Sequence, residues 1–347
     1  MAAAAGTLGR GCPCSERKRR RGPVMKKPDW FLIGMLVAAL CAWAFPSAGA
    51  GGGWLRPELT VNAGVALIFF LHGLLLSFAA LRAGTVRWPV HLVVQGCTFV
   101  FFPLLGLALL PLLDAGLSPE LVLGVFFVCA LPSTVSSSVA MTATARGNVP
   151  VAVCNATLSS LIGVVLTPLW ISVVTATTGQ RLPLGEVILD LVLWMVLPLA
   201  VGQLLRPLLG AFAQRHKARV NLADRLVILL LVYTSFCESV RREVWSGQSP
   251  WALLGVGLLS LGLFFAALAA VRLVCRLCKL PREDEIAAIF CGSKKTLAAG
   301  VPMAQLIFGA TPALGLILLP IIVYHQLQLL VCSVLASRWA QRDQATD

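Results

Sequence analysis

Residues 286–308 read Ile-Ala-Ala-Ile-Phe-Cys-Gly-Ser-Lys-Lys-Thr-Leu-Ala-Ala-Gly-Val-Pro-Met-Ala-Gln-Leu-Ile-Phe, an apolar stretch that contains two adjacent lysines, Lys294 and Lys295. An ammonium group at the centre of a bilayer costs at least ~3 kcal/mol on insertion scales, so this pair must face water, protein or a ligand. Glycine, serine and proline interrupt the same stretch, and non-helical backbone at membrane depth is tolerated only where it packs in protein or lines a cavity. A charged pair in a broken helix is typical of a transport site.

The composition predicts an all-α polytopic membrane protein. The chain has 347 residues, of which 58% are hydrophobic and 12% charged, whereas soluble domains carry about 25% charged residues. The net charge of +13 is spread over many short loops, so no nucleic-acid partner is expected. Most of the 11 cysteines lie singly in apolar segments, where cysteine behaves as a small hydrophobe. Cys275 and Cys278 form a CxxC without a second pair, so we predict neither a metal site nor a cofactor.

Ten apolar stretches follow a basic N-terminal extension. Most of them are long enough to cross ~30 Å of hydrocarbon, which takes about 20 residues. Residues 1–24 are predicted to be disordered, and Met25 is an alternative start. Residues 25–340 form one predicted transporter domain and residues 341–347 a cytoplasmic tail. The predicted spans are 28–45, 59–81, 88–113, 120–145, 149–175, 184–208, 221–240, 250–275, 284–308 and 311–337.

Loop charges give an independent test of this topology. With the N-terminus inside, the inside segments hold 22 of the 28 Lys and Arg residues and the outside loops hold four, leaving the pair at 294–295. The positive-inside rule therefore predicts a plasma-membrane protein (inner membrane in a bacterium) with both termini cytoplasmic. A competing interpretation is that residues 25–50 form a cleaved secretory signal, which would remove the first span.

Two interrupted segments five spans apart predict an inverted repeat. Leu131-Pro-Ser-Thr-Val-Ser-Ser-Ser138 lies in span four and Phe290-Cys-Gly-Ser-Lys-Lys-Thr296 in span nine. Because five is odd, two five-span repeats, about 28–175 and 184–337, would enter the membrane from opposite sides. Paired interrupted spans are the best sequence indication of a substrate site. The alternative is that two helix kinks arose separately for packing.

The two breaks supply the predicted substrate or ion site. Half-helix N-termini direct partial positive charge into such a cavity, and the hydroxyls and lysines add donors, so an anionic solute is favoured. No Walker motif, HExxH or GxSxG occurs in the sequence, so we predict that the protein is not an enzyme or an ATP-driven pump. The predicted site residues are Ser133, Thr134, Ser136, Ser137, Ser138, Ser293, Lys294, Lys295 and Thr296.

Other polar residues within spans are secondary candidates. Glu238, His72 and His325 are possible charge partners for the lysines, since pairing lowers the insertion cost of both groups. The alternatives are that Glu238 reaches the interface and that each histidine is a packing hydrogen-bond donor. Weaker candidates for the same cavity are Asn155, Thr157 and Gln95.

The chain resembles the bile acid:sodium symporter superfamily, in particular bacterial members of its sodium/bile acid cotransporter 7-like branch. The similarity extends over nearly all of residues 28–337. It implies ten helices in two inverted five-helix repeats, with the broken helices four and nine crossing between a panel domain (spans one, two, six and seven) and a core domain. The resemblance rests on the segment 131–138 with Arg146-Gly-Asn-Val149, Ser159-Ser160 with Thr167-Pro168, Tyr233-Thr234, and Phe290-Cys-Gly-Ser-Lys-Lys-Thr-Leu297 with Gly300-Val-Pro-Met303.

The ion ligands that the resemblance implies are largely missing. Ser137-Ser138 stands where the family has a Ser-Asn pair, Phe290 where it has a glutamate, and Lys294 where it has a glutamine. Two hydroxyl ligands fall near Ala152 and Ala156. We therefore expect weakened sodium sites and hypothesise that Lys294 supplies the positive charge that sodium supplies in the family.

These features predict a multi-pass secondary transporter that moves a small organic anion across the lipid bilayer by alternating access. Its coupling ion would be H+ or Na+, with transport independent of sodium or coupled to protons as the first expectation. One alternative is a sodium-coupled organic anion symporter. Another, of a different class, is a non-transporting membrane regulator of calcium or solute homeostasis. A channel is disfavoured because no ring of charges or repeated pore loop is present.

Overall fold

A computed structural model describes residues 30–76, 84, 87–113, 116–177, 182–243, 249–309 and 311–342. The described part of the chain is helical and contains no β-strand, which confirms the predicted fold class at that level. The predicted disordered extension 1–24, the alternative start at Met25 and most of the tail 341–347 lie outside the described residues.

The described residues form fifteen α-helices, numbered in chain order. Two π-helical turns, Cys97–Phe101 and Val192–Val196, join α4 to α5 and α9 to α10 without interrupting those rods. The helices are α1 Trp30–Ala44, α2 Pro46–Gly49, α3 Pro57–Leu75, α4 Trp88–Gly96, α5 Phe102–Leu113, α6 Pro119–Ala130, α7 Ser136–Thr144, α8 Val149–Thr177, α9 Leu184–Leu191, α10 Leu197–Arg215, α11 Lys217–Arg241, α12 Pro250–Leu277, α13 Arg282–Gly292, α14 Leu297–Phe308 and α15 Leu314–Arg342.

Six helical stretches in the described part are long and apolar enough to cross a membrane, and three shorter apolar helices accompany them. Large apolar side chains such as Leu40, Leu204 and Leu208 are at least two-thirds exposed, as expected for surfaces that contact lipid. The chain is therefore a multi-pass membrane protein. The count of ten spans, the repeat boundaries and the orientation of the termini stay predictions. The six long stretches are Trp88–Leu113, Val149–Ala176, Leu184–Arg215, Lys217–Arg241, Pro250–Leu277 and Leu314–Gln341.

Both predicted interruptions are present as non-helical backbone. Helix α6 ends at Ala130, and helical structure resumes only at Ser136. Pro132 accounts for this break, since proline has no N–H to donate and restricts the residue before it. Helix α13 ends at Gly292 and α14 begins at Leu297, with Thr296 as its N-cap: the Thr296 hydroxyl accepts from the Ala299 N–H at 3.2 Å.

Helices α3 and α10 pack at very short range because glycines lie where they meet. A Cβ at Gly202 would overlap the carbonyl oxygen of Phe70, and one at Gly73 would overlap the carbonyl oxygen of Leu199. Small residues that let backbones approach closely are the usual basis of helix association in membranes. Helix α1 packs along α11 in the same part of the molecule.

Polar side chains join α11 to α14 and α15. The Gln305 amide of α14 donates to the Ser235 hydroxyl of α11 at 3.0 Å. The Ser239 hydroxyl donates to the Pro312 carbonyl at 2.6 Å and accepts from the Gly315 N–H at 2.9 Å. These contacts hold α11 against the end of α14 and the start of α15.

Replacing Gly202 by Ala should destabilise the protein, because the added methyl group forces α3 and α10 apart and overpacking costs about 1–3 kcal/mol. Gly262→Ala is the matched control: no atom lies within 4 Å of a Cβ at Gly262, and alanine favours helix over glycine by about 1 kcal/mol. Thermal unfolding of the purified variants in detergent would show a lower Tm for Gly202→Ala only. Equal Tm values would mean that α3 and α10 do not pack as described.

Candidate transport site

The two breaks are hydrogen-bonded directly to each other. The Thr296 N–H donates to the Pro132 carbonyl at 3.0 Å. The Ser133 hydroxyl donates to the Cys291 carbonyl at 2.5 Å, and the Ser138 hydroxyl donates to the Phe290 carbonyl at 2.8 Å. Segments 131–138 and 290–296 therefore form one unit, called the crossing below.

Lys295 lies inside the crossing with its ammonium fully paired. The side chain is completely buried, and Nζ donates to the carbonyl oxygens of Thr98 at 3.0 Å, Cys129 at 2.9 Å and Leu131 at 2.7 Å. Nζ also lies 4.1 Å from the centre of the Phe102 ring, within the range of a cation–π interaction. Three donors meet three acceptors, so this charge is stabilised entirely by protein groups.

Broken and distorted helices supply those acceptors. Cys129 and Leu131 lie at the C-terminal end of α6, where the last carbonyls of a helix have no intrahelical donor and carry partial negative charge. Thr98 lies in the π-helical turn between α4 and α5. Such a turn disturbs the regular backbone pairing. The carbonyls thus converge on Lys295 because of local backbone geometry.

Helix α15 fixes the backbone of the second break. The Gln328 side chain accepts from the Lys295 N–H and donates to the Lys295 carbonyl, both at 2.8 Å. The Tyr324 hydroxyl donates to the Ser293 carbonyl at 2.8 Å. His325 contributes indirectly, since its Nδ1 lies 2.8 Å from the Gln328 amide nitrogen.

Lys294 is equally buried but differs in its partners. Its Nζ has no hydrogen-bond partner among the described residues, and the Cys291 and Cys332 thiols are among its electrostatic neighbours. An ammonium that is buried without compensation is costly. Lys294 is therefore the group at the crossing whose charge is left for water or a ligand to satisfy.

The hydroxyls of the first break form a directed chain. Ser137 donates to Thr134 at 2.9 Å, and Thr134 and Ser138 lie 2.7 Å apart. The single hydrogen of Ser138 is donated to the Phe290 carbonyl, so Thr134 must donate to Ser138. All three hydroxyl hydrogens point inward, and the half-buried Ser137 oxygen ends the chain with its lone pairs.

Two of the predicted site hydroxyls, those of Ser133 and Ser138, link the two segments, and most of the others bond within their own stretch of chain. The Ser293 hydroxyl donates to the Ile289 carbonyl at 2.6 Å, and Thr296 caps α14 as described above. Ser136 is exposed at the start of α7. All nine predicted site residues lie in the two broken segments, where most of the hydroxyls have hydrogen-bond partners and the Lys294 Nζ atom has none among the described residues. Their role in binding a solute stays a prediction.

The three proposed charge partners have other polar partners in the described structure. Glu238 accepts from Arg241 at 3.1 Å, Arg242 at 3.1 Å and the Gly51 N–H at 3.0 Å. His72 lies 3.4 Å from Asp224, and His325 contacts Gln328. These are the partners of Glu238 and His72 in the described conformation, and their role as charge partners of the lysines stays a prediction.

The weaker candidates Gln95, Asn155 and Thr157 form hydrogen bonds of their own. The Gln95 amide donates to the carbonyl of Asn155 at 3.1 Å and to its side-chain oxygen at 3.3 Å. The Thr157 hydroxyl donates to the Val153 carbonyl of its own helix at 2.9 Å. The Gln95 Oε1 atom is buried and has no partner among the described residues, so Gln95 keeps an acceptor available.

Several residues that build the site were missed in the sequence. Gln328 carried a detectable signal, since it is an amide in an apolar helix one turn from Tyr324. Thr98 and Phe102 carried none, because Thr98 contributes a backbone oxygen and Phe102 looks like any lipid-facing aromatic residue.

The lysines are closed off from solvent in this conformation. A surface groove of about 370 Å³ is lined by Gln203, Arg206 and Gln214 of α10, away from the crossing. Neither lysine lines it. No group of three or more His, Cys, Asp or Glu residues suited to a metal ion occurs among the described residues.

An all-helical multi-pass protein, with two broken helices joined at their breaks and charge buried there, belongs to the class of membrane transporters. A sequence profile of the SBF-like CPA transporter family matches residues 29–341. The chain therefore belongs to the SBF-like CPA transporter family, which confirms the resemblance.

Three relatives match the chain over most of their length. The chain is 45% identical over 316 residues to the uncharacterized protein PA2026 of Pseudomonas aeruginosa, covering 91% of this chain and 94% of the relative. It is 37% identical over 314 residues to the putative symporter YfeH of Escherichia coli (90% and 93%). It is 32% identical over 312 residues to sodium/bile acid cotransporter 7 of Rattus norvegicus (89% and 92%).

The different surroundings of the two lysines predict opposite effects of the same substitution. Lys295→Met should destabilise strongly, because it leaves three buried carbonyls without donors at about 1–3 kcal/mol each. Lys294→Met should leave stability unchanged or raise it, because it removes an uncompensated charge. The Tm values of the purified variants in detergent test this, and the reverse order would show that the two side chains are exchanged.

Proposed function

We propose that this protein is a secondary active transporter of a small organic anion that works by alternating access. Family membership and relatives named as a symporter and a cotransporter support a transporter. The observation that carries the choice of an anion is the unpaired, fully buried ammonium of Lys294 at the crossing.

Lys294 is proposed as the charge that selects the solute. A carboxylate, phosphate or sulfonate beside Nζ would form a charge-assisted hydrogen bond and offset the burial of both groups. Lys295 cannot take this role in the described conformation, since its three hydrogens are already donated to carbonyls. We assign solute binding to Lys294 and the integrity of the crossing to Lys295.

The hydroxyl chain suggests how the first break takes part. For Ser137 to donate to an anion, its hydroxyl hydrogen must turn away from Thr134. The Thr134 oxygen then lacks a donor, and the neighbouring Ser138 hydroxyl is the group close enough to replace it. The rearrangement would loosen the link from Ser138 to Phe290. Solute binding would thereby be coupled to the hydrogen bonds that join the two broken helices.

The proposed movement is a rigid-body displacement of a core domain relative to a panel domain. The proposed fold has ten membrane-spanning helices in two inverted repeats. Support for a panel comes from the close packing of α3 on α10 and of α1 on α11. Support for a core comes from the crossing and from α15, which braces it. The polar contacts of Ser235 and Ser239 with Gln305 and Gly315 join the two parts and would separate when the site opens on that side.

The proposed coupling is independent of sodium or uses protons. Phe290 stands at a position where the resemblance implies a carboxylate, and a phenyl ring offers no ligand to sodium. The Lys294 side chain can bind and release a proton. If it is protonated when the anion binds and deprotonated when the anion leaves, one proton crosses the membrane with each anion. Coupling to sodium is the competing hypothesis. The proposal also places the protein in the plasma membrane with both termini in the cytoplasm.

Lys294→Met should abolish anion uptake in proteoliposomes while leaving the protein folded, because the charge that selects the solute is gone. A thermal-shift screen of organic anions at pH 5–8, with and without sodium, first identifies a solute that stabilises the wild-type protein. Radiolabelled uptake of that solute then compares wild type with the variant.

Lys279→Met is the matched control for the uptake test, since it removes an exposed lysine in the loop before α13. It should transport like wild type. Uptake that requires sodium and survives Lys294→Met would contradict the proposed site and coupling. A wild-type protein that neither binds nor moves any anion would favour a regulator instead.

Ser239→Cys combined with Gly315→Cys should lock the transporter in the described conformation. The Ser239 Oγ and Gly315 N atoms are 2.9 Å apart, so the two thiols are expected to meet on oxidation. Uptake by the double variant should fall on oxidation and return with a reductant. Oxidation should not change uptake by either single cysteine variant. Full uptake by the oxidised, cross-linked protein would show that these helices need not separate during transport.

A further inference from the structure

The surroundings of the Lys295 ammonium have the form of a binding site for a monovalent cation. Carbonyl oxygens from two different elements, the π-helical turn at Thr98 and the end of α6 at Cys129 and Leu131, converge on one point. The Phe102 ring covers that point from 4.1 Å. The side chain that reaches it comes from a third element, the break between α13 and α14.

The negative potential at this point belongs to the backbone and not to Lys295. The carbonyls at the end of α6 carry the partial negative charge of a helix C-terminus, and the groups found around Nζ among the described residues are three carbonyls and the Phe102 ring. Removing the lysine side chain would leave three oxygens directed at an empty, buried volume. Such oxygens need a donor or a cation.

The distances define the size of ion that fits. Nζ lies 2.7–3.0 Å from the three oxygens, whereas Mg²⁺ requires about 2.0–2.1 Å and Ca²⁺ about 2.3–2.6 Å. Rings of backbone carbonyls that replace a hydration shell are the usual ligands of K+ in channels. The site therefore suits NH4+, K+ or a small alkylammonium ion.

We propose that Lys295 is the tethered occupant of a cation site, and that truncating its side chain turns this position into a site that binds free ammonium-sized cations. In the wild-type protein the lysine fills the site permanently, so the crossing forms without a dissolved cation. This inference does not depend on which solute the protein transports.

Lys295→Ala is the test variant, because it removes the charge and leaves room for an ion. Its Tm in detergent should be low in N-methylglucamine chloride and should rise in ammonium, methylammonium or potassium chloride at the same ionic strength. A ligand at about ten times its Kd should raise Tm by about 2 °C or more. The wild-type Tm should be the same in all these salts.

Two variants serve as matched controls. Lys295→Met removes the charge but fills most of the volume, so the ions should not rescue it. Lys294→Ala removes the neighbouring lysine, whose Nζ contacts no carbonyl among the described residues, so its Tm should not depend on the cation. The readout is stability, so a failure of anion transport would leave this test intact.

The proposal is overturned if the Tm of Lys295→Ala responds to the cations no more than that of Lys295→Met. If Lys295→Ala is too unstable to purify, a fluorescent-protein fusion can be solubilised from cells directly into each salt and analysed by size-exclusion chromatography. A monodisperse peak in ammonium or potassium but not in N-methylglucamine supports the site. Aggregation in every salt contradicts it.

Discussion

The rest of the structure depends on how one buried ammonium is neutralised. Two helices end inside an apolar protein, and their ends meet, which leaves backbone carbonyls without donors at a depth where water is scarce. Lys295 from one broken helix donates to the carbonyls that end the other. The same residue is held in place by Gln328 of α15. The backbone of each break is thus stabilised by hydrogen bonds to the other break.

The proposed role of Lys294 follows from the contacts that Lys295 makes. Lys295 already donates hydrogen bonds to the free carbonyls of the crossing. The ammonium group of the adjacent Lys294 therefore has no hydrogen-bond partner among the described residues. A protein of marginal stability retains such a charge at a cost, and solute binding is the function that would explain it. Under the proposed mechanism, the buried lysines and the polar contacts between α11 and α15 belong to a closed conformation, which would open for exchange of the solute.

Much of this arrangement could be predicted from the sequence. Proline with serines at 132–138, and glycine with lysines at 292–295, indicated two breaks, and the family resemblance implied that the broken helices would cross. Which lysine is paired could not be predicted. In a non-helical segment, the local backbone sets the directions of adjacent side chains. Here α15 holds the backbone of Lys295, and the π-helical turn supplies one of the carbonyls that its ammonium contacts. The role of the hydroxyls was likewise hidden, since a serine in a sequence does not show whether its hydrogen is already donated to a carbonyl.

The most direct test is a high-resolution cryo-EM map of the protein in lipid nanodiscs, with and without a stabilising organic anion. The account predicts that the Lys295 ammonium contacts the carbonyls of Thr98, Cys129 and Leu131 in both maps, and that new density appears beside Lys294 only with the anion. An anion bound elsewhere, or a map in which Lys294 occupies the carbonyl site and Lys295 is free, would contradict it.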